Sequence, residues 1–192
     1  MNFLAHAYLS GNDEMVLTGN IIADGIKGKS YLKYPEKIQK GIILHRAIDT
    51  FTDQHVLTRH SASLLRPYMG RLAAVGVDVI YDHFLALHWA DYHLTSFPEF
   101  VHFMYSSLGK YSHLMPSEAS FFTNKMIEQD WISSYTQVTG IEDVFKRMSY
   151  RMGFPQLNEG GKGLKAEYKS LEADFKAFFP EIKAHFGVWG EK

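Results

Sequence analysis

The sequence predicts an all-α protein, folded as a single-domain helical bundle over residues 1–192. Apolar residues recur at helical spacing along most of the chain, whereas the alternation of apolar and polar residues that marks strands is nowhere sustained. Hydrophobic residues make up 46% of the chain and aromatic residues 15%, which favours a sizeable core and argues against disorder. No stretch approaches the roughly 20 apolar residues that a membrane span requires.

The first half of the chain contains four expected helices after an apolar opening segment, Phe3 to Tyr8. Acids near position 13 favour the start of the first helix, and the glycines around Ile26 favour its end. Pro35 suits the first turn of the next helix. A break is expected around residues 67–70, a stretch that begins with Pro67 and ends with a glycine. These helices are expected over residues 13–26, from 35 through 53, from 61 to the break, and over 75–89.

The second half is expected to add four helices. They are expected over residues 98–108, 117–131, 141–152 and 164–179, with loops at 109–116 and 158–163. The glycines of the second loop favour a flexible segment there. Pro180 is expected to interrupt the last helix, which leaves a short tail ending at Lys192.

Composition excludes several classes of function. The formal net charge of -1 gives no global electrostatic case for binding nucleic acid. The chain has no cysteine, so disulfides, thiolate zinc sites and cysteine nucleophiles are excluded, and any metal must use His, Asp, Glu, Asn or water. The N-terminus lacks the charged start and long apolar run of a signal peptide, so we expect a cytoplasmic protein without a membrane partner.

Three expected helices each carry two polar residues four positions apart within an apolar stretch. The pairs are Asn20/Asp24, His45/Asp49 and Asp78/Asp82. An isolated carboxylate in such surroundings would carry a desolvation cost, and carboxylates that converge repel one another unless a cation lies between them. The sequence therefore predicts a divalent-metal site where three helices meet. Imidazole with carboxylate oxygen is a ligand set that suits Mn, Fe or Zn.

Each of these residues also has a simpler interpretation. Asp24 could be a solvated acid at a helix end, and Asp49 a surface acid paired with a neighbouring base. Asp82 could be a buried acid bonded to a Tyr, Trp or His. For His6 and His83, a core histidine with satisfied hydrogen bonds competes with the role of ligand.

Two further acids and three arginines extend the candidate site. Asp53 could assist the metal site, bind a second metal or be solvated, and Asp78 could hydrogen-bond a ligand histidine. A metal with open positions suits water activation and phosphoester hydrolysis, for which an arginine fork could hold the phosphate. The arginine candidates, each with an ordinary surface role as the alternative, are Arg46, Arg66 and Arg71.

Four motifs occur in the order found in a known family. They are the segments at residues 1–6, 19–24, 41–53 and 78–89. Together they resemble the bacterial acyl carrier protein phosphodiesterase family, and a weaker resemblance extends through Trp131 to Arg151. The adjacent His-Asp pair of the wider HD phosphohydrolases is replaced here by His45 and Asp49 four apart, and Asp82-His83 has the reverse order.

The resemblance implies a fold, a reaction and a cofactor. Family members are similar to the HD phosphohydrolases, with a helical fold and a divalent metal, typically Mn²⁺, with Mg²⁺ or Fe²⁺ as alternatives. They are phosphoric diester hydrolases that remove 4′-phosphopantetheine from a serine of holo acyl carrier protein and so return the apo form. By this resemblance the residues near the metal are Asp24, His45, Asp49 and Asp82, followed by His6, Asp78 and His83.

The resemblance also implies a protein partner. Carrier proteins are small, acidic and helical, so their docking surface should be locally basic, and Arg147 and Arg151 are candidates. A solvated helix face is the alternative for both. Asn20 and Arg46 are further candidates for contact with the substrate. The sequence leaves the oligomeric state open.

Two other functions remain as alternatives at this stage. One is a metal-dependent phosphohydrolase that acts on a nucleotide or another small phosphoester. The other is a non-catalytic helical binding module whose polar cluster is structural. The second alternative is disfavoured, because a scaffold gains little from three buried acids.

Overall fold

All the regular structure across residues 2–187, the part of the chain that the computed structural model describes, is helical. This confirms the all-α prediction; of the expected tail, residues 188–192 lie outside the described residues. The helices are α1 Phe3–Leu9, α2 Glu14–Ile22, α3 Glu36–Gln54, α4 Val56–Met69, α5 Ala73–Leu87, α6 Trp89–Tyr92, α7 Phe97–Lys110, α8 Ser117–Glu128, α9 Val138–Met152, α10 Gly160–Ala166 and α11 Tyr168–Phe186. None of them is long and apolar enough to cross a bilayer.

Helix α5 is the centre of the bundle, as its apolar circumference predicts. It packs against α1, α4, α9 and α11. Its Tyr81 and Phe84 are fully buried against Phe175 and Phe178 of α11, with ring centroids 5.4 to 5.8 Å apart. Each buried ring of this size stabilises the fold by about 2 kcal/mol.

Helices α2 and α3 approach each other closely because glycines face the contact. A Cβ atom on Gly19 would lie 2.2 Å from the carbonyl oxygen of Ile38, and one on Gly41 would lie 2.1 Å from that of Val16. Such distances are shorter than atoms tolerate, so only glycine fits at both positions. The crossing brings Asn20, the neighbour of Gly19, towards the α3 face that carries His45.

We expect Gly41→Ala to lower the free energy of unfolding by about 3 kcal/mol, because the added methyl meets backbone rather than a movable side chain. Gly109→Ala is a matched control. Gly109 is exposed near the end of α7 with no atom near its would-be Cβ, so alanine there should stabilise slightly. Urea unfolding followed by circular dichroism measures both. Equal stability of Gly41→Ala and the wild type would contradict the close crossing.

Two prolines lie inside helices. Helix α4 continues through Pro67 but ends at Met69, which confirms the break predicted around residues 67–70. Helix α11 continues through Pro180 to Phe186, so the predicted interruption there was wrong. A proline leaves the carbonyl four residues earlier without its usual N–H partner. For Pro180 that residue is Lys176, which is exposed, so water can hydrate the carbonyl.

Two other expectations differ from the structure. Helix α2 ends at Ile22, and a 3₁₀ turn at Ala23–Gly25 follows, so Asp24 lies beyond the helix. The expected flexible loop at 158–163 is a 3₁₀ turn followed by α10. The glycines there are buried because they pack closely on neighbouring helices; a Cβ on Gly160 would lie 2.6 Å from the ring of Phe145.

Candidate metal centre

Three candidate ligands from two helices meet at one point. His6 lies on α1, and His45 and Asp49 lie one turn apart on α3. Nε2 of His6 is 3.2 Å from Oδ1 of Asp49, and Nε2 of His45 is 3.1 Å from Oδ2 of the same carboxylate. The two imidazole rings stack with centroids 4.1 Å apart. One ligand atom from each residue lies within 4.8 Å of the others, a spacing that a single ion can bridge.

Asn20 determines which nitrogen of His6 carries the proton. Its amide nitrogen lies 3.0 Å from the carbonyl oxygen of His6, which can only accept, so this end of the amide is the donor. The same amide nitrogen donates to the Ser10 hydroxyl at 2.9 Å. The amide oxygen of Asn20 therefore faces Nδ1 of His6 at 2.8 Å, and Nδ1 must donate to it. In neutral His6 this leaves the lone pair of Nε2 directed at Asp49.

The pKa values of the three side chains agree with a neutral imidazole facing a charged carboxylate. Burial lowers the pKa of His6 more than the nearby Asp49 carboxylate raises it. Burial alone would raise the pKa of Asp49, but the hydrogen bond from His45 holds it well below its usual range. A lone pair and a carboxylate repel each other, and a cation between them would remove that repulsion.

His45 differs from His6 in its protonation. Burial acts to lower its pKa, but hydrogen bonds with Asp24 and Asp49 outweigh burial and raise it to about 9. The opposite nitrogen, Nδ1, is buried and has no hydrogen-bond partner. The two carboxylates at Nε2 thus favour the protonated form of His45 in the absence of a metal.

Asp24 stands at the edge of the cluster. Its Oδ1 is 3.1 Å from Nε2 of His45, and its side chain is 82% exposed. The hydrogen bond from His45 lowers the pKa of Asp24. A small cavity of about 20 Å³ lies beside it, lined by His6, Asn20 and His45 among others. That volume admits one species the size of water.

Metal binding should depend on pH because a metal must displace the proton of His45. We expect the apparent affinity for Mn²⁺ to rise about tenfold per pH unit from 6.5 to 9 and then level off. Because the pKa of His45 is raised on folding, protonation of His45 stabilises the metal-free fold fully below pH 6.5. This contribution is lost as the pH rises through 9. Calorimetric titration in buffers of different ionisation enthalpy measures both the affinity and the released proton. A flat affinity over this range would contradict the assignment.

Asn20 should affect metal binding indirectly, because it contacts Nδ1 of His6 and not the carboxylate of Asp49. We expect Asn20→Ala to weaken Mn²⁺ binding about 10- to 100-fold, because Nδ1 of His6 loses the acceptor that orients the ring. The exposed Asn158 is a matched control, and Asn158→Ala should bind Mn²⁺ like the wild type. Paramagnetic resonance of free Mn²⁺ measures the affinity. Unchanged binding by Asn20→Ala would rule out this role.

The structure does not bring Asp82 into the cluster. Its carboxylate is fully buried and accepts the backbone N–H groups of Leu4 at 2.7 Å and Ala5 at 3.1 Å. Burial raises the pKa of Asp82 to about 7, although these two hydrogen bonds act in the opposite direction. Asp82 thus caps the start of α1, the helix that carries His6. Its expected place beside His45 and Asp49 stays a prediction from the resemblance, and these hydrogen bonds favour the capping role instead.

His83 is also directed elsewhere. Its Nδ1 lies 2.7 Å from the carbonyl oxygen of Tyr135, and the ring is buried. The competing interpretation from the sequence, a core histidine with a satisfied hydrogen bond, describes His83 better than the role of ligand.

Arg46 is likewise used by the fold. Its Nη2 donates to the carbonyl oxygens of Ile26 at 2.8 Å and Gly28 at 2.9 Å, and its guanidinium lies over the ring of Tyr31. It therefore fastens the segment that follows Asp24 to α3. This is a different role from the expected contact with substrate.

A cavity of about 760 Å³ adjoins the cluster. Its polar lining from α3, α5 and the turn after α2 is acidic, and its polar lining from α8 and α9 is largely basic. The acids are Asp24, Asp49, Asp53 and Asp78, with His45 beside them, and the basic group comprises Lys125, Lys146, Arg147 and Arg151. Burial and the charge of Asp78 raise the pKa of Asp53.

The sequence marked Trp131 only through the weaker family resemblance and did not predict that aromatic rings line this cavity. Phe3 comes from α1 and the other rings come from residues 121–135, so only the fold brings them together. The residues are Phe3, Phe121, Phe122, Trp131 and Tyr135. Tyr135 is fully buried, and burial holds its pKa well above the usual range, so its phenol stays protonated. The apolar rings make the cavity suitable for a substrate larger than a bare phosphate.

The sequence matches one protein family and several individual proteins that carry the same name as that family. A family described as acyl carrier protein phosphodiesterase matches residues 1–182. A protein named acyl carrier protein phosphodiesterase from an Enterobacter species is 32% identical over 187 residues, 95% of each chain. A protein of the same name from Photorhabdus laumondii is 32% identical over 94% of this chain and 92% of its own. Another from Salmonella agona is 30% identical over 96% of each chain.

No solved structure matches this chain. The likeness to the HD phosphohydrolases therefore stays a prediction from the sequence, whereas the helical class is confirmed.

Proposed function

This chain belongs to the acyl carrier protein phosphodiesterase family, and from that premise we propose that it removes 4′-phosphopantetheine from holo acyl carrier protein with a divalent metal. His6, His45 and Asp49 would hold the metal. The observation that carries the proposal is the meeting of two imidazole Nε2 atoms at one carboxylate, where Asn20 leaves the Nε2 lone pair of His6 facing Asp49.

The donor set suits a particular group of metals. Two imidazoles and one carboxylate, with the remaining positions open, form the ligand set of many Fe²⁺ sites and also suit Mn²⁺. Mg²⁺ prefers oxygen ligands and retains several waters, so it fits two imidazoles less well. We therefore propose Mn²⁺, with Fe²⁺ as the next candidate. Asp24, beside His45, could supply a further oxygen.

The proposed reaction is the addition of water across a phosphodiester. The water oxygen bonds to phosphorus, the bond from phosphorus to the serine oxygen breaks, and a proton passes to that serine oxygen. A bound divalent metal would polarise the phosphoryl group and make water a stronger nucleophile. The exposed carboxylate of Asp24 lies 3.1 Å from Nε2 of His45, so its position would let it accept the proton of the attacking water.

The cavity supports a substrate with an extended arm. A volume of about 760 Å³ is far more than one phosphate needs, and its lining includes several aromatic rings. The pantetheine arm is a flexible chain of methylene and amide groups, for which such a lining provides apolar contact. A metal held by His6, His45 and Asp49 would attract the anionic phosphodiester, which leaves the arm to the aromatic part of the lining.

The test uses purified protein, Mn²⁺ and holo acyl carrier protein, with intact-protein mass spectrometry as the readout. We expect the mass of 4′-phosphopantetheine to be lost from the carrier protein, and a chelator to stop the loss. Cleavage of a small phosphodiester without any change in the carrier protein would overturn the substrate and favour a small-phosphoester hydrolase. Absence of both turnover and Mn²⁺ binding would overturn the metal centre.

A further inference from the structure

Two arginines on α9 rest on a pair of aromatic rings at the basic part of the cavity. The guanidinium carbon of Arg147 lies 4.5 Å from the ring centroid of Trp131, and that of Arg151 lies 4.7 Å from the ring centroid of Phe122. The rings of Trp131 and Phe122 pack edge to face at 5.1 Å. Both guanidinium groups are thus held in place by stacking. We call these four residues, with Lys125 and Lys146, the arginine face.

The charges of the arginine face are unequally neutralised. Lys125 pairs with Glu128 at 2.8 Å, and Lys146 pairs with Asp143 at 3.1 Å. Within residues 2–187, neither Arg147 nor Arg151 forms an ion pair with a carboxylate. Nη2 of Arg147 is moreover buried and has no hydrogen-bond partner. A docking protein cannot reach this buried atom, so its carboxylates would pair with the accessible part of the half-buried Arg147 side chain and with Arg151.

Exposed apolar side chains border the arginine face along the cavity lining. Phe121 is 68% exposed, Tyr150 is 93% exposed and Met152 is 38% exposed. Large apolar groups grouped with cations form a surface that buries apolar area and pairs with carboxylates at the same time. A protein segment with an apolar centre and acidic flanks has the complementary chemistry.

We propose that the arginine face docks the acidic protein substrate, with carboxylates of that protein paired to Arg147 and Arg151. This inference rests on the proposed function and deepens it, since it states where the carrier protein binds. The acids Asp24, Asp53 and Asp78 of the same cavity lining repel carboxylates. The acidic surface of the partner is therefore repelled by the α3 and α5 side of the cavity and attracted to the α8 and α9 side. From there its phosphodiester would reach the metal ligands.

A nucleic acid fits these observations less well than an acidic protein. Nucleic acids are bound by many cations in series, and the net charge of the chain is -1. Two of the four cations of the arginine face are already paired with acids of their own helices. The exposed phenylalanine, tyrosine and methionine side chains match an apolar protein contact instead.

The test compares two substrates with wild type, Arg151→Glu and Lys169→Glu. The substrates are holo acyl carrier protein and the small phosphodiester bis(p-nitrophenyl) phosphate, with Mn²⁺ at low and high salt. For Arg151→Glu we expect the KM for carrier protein to rise about tenfold or more, with a smaller change in kcat and a weaker dependence on salt. Lys169 is exposed on α11 and outside the cavity, so Lys169→Glu should behave like wild type.

Other outcomes would overturn the inference. An unchanged KM for Arg151→Glu would do so, and so would an equal loss on the small phosphodiester, which would place the arginine at the phosphate itself. Equal affinity for a single-stranded RNA would indicate a nucleic acid site. If the wild type cleaves no carrier protein, the proposed function fails, but docking is still measured by fluorescence anisotropy of labelled carrier protein. Binding that is equal in wild type and Arg151→Glu would then overturn the docking surface.

Discussion

Asp49→Asn is expected to lower kcat on holo acyl carrier protein by about three orders of magnitude and to abolish tight Mn²⁺ binding. The Asp49 carboxylate lies within 3.2 Å of Nε2 of both imidazoles, and the change removes the negative charge that compensates a cation there. Its side chain is 40% exposed, so the fold should tolerate the isosteric amide. Circular dichroism and thermal unfolding verify that the variant remains folded.

Asp53→Asn is the matched control, since Asp53 lies one turn further along α3 and is exposed. Asp53 is outside the group of three converging ligands, so this variant should keep most of the activity and the Mn²⁺ affinity. A loss confined to Asp53→Asn, with Asp49→Asn fully active, would show that the metal lies among the acids of the cavity instead.

Asp82→Ala is expected to lower the free energy of unfolding by about 3 kcal/mol, because two buried backbone N–H groups lose their only described acceptor. Activity should fall because less of the protein is folded and because α1, which carries His6, loses the cap that holds it in place. Asp82→Asn keeps one acceptor oxygen, so its free energy of unfolding should fall less than that of Asp82→Ala. Denaturant unfolding combined with Mn²⁺ titration separates the two effects.

The titration also distinguishes a cap from a ligand. If Asp82 caps α1, folded Asp82→Asn binds Mn²⁺ with nearly the affinity of wild type while its unfolding midpoint falls. If Asp82 coordinates the metal, as the sequence predicts by family resemblance, the affinity collapses while stability changes little. The second pattern would contradict the role that its hydrogen bonds to Leu4 and Ala5 assign.

The helical fold and part of the site could be predicted because both depend on local spacing. Helical periodicity places most of the helices, and the four-residue interval between His45 and Asp49 places both on one face of α3. Asn20 could be recognised as a polar residue in an apolar stretch. Its contact with His6 spans 14 positions and depends on the glycines that let α2 and α3 approach.

Long-range relations account for what the sequence did not predict. His6 ranked below Asp82 because no spacing connects α1 with α3, and a buried acid on a helix can cap a neighbouring helix as well as bind a metal. The last helix continues through Pro180 because the carbonyl that loses its N–H partner belongs to an exposed residue, Lys176. The glycines of α10 were expected to make a loop, but their small size serves close packing.

The most direct test of the metal centre is a crystal structure of the protein with Mn²⁺, with data collected at the manganese absorption edge. We predict an anomalous peak in bonding contact with Nε2 of His6, Nε2 of His45 and a carboxylate oxygen of Asp49, at about 2.2 Å from each. A peak at Asp82, or among Asp53 and Asp78 without either histidine, would contradict the centre proposed for this fold.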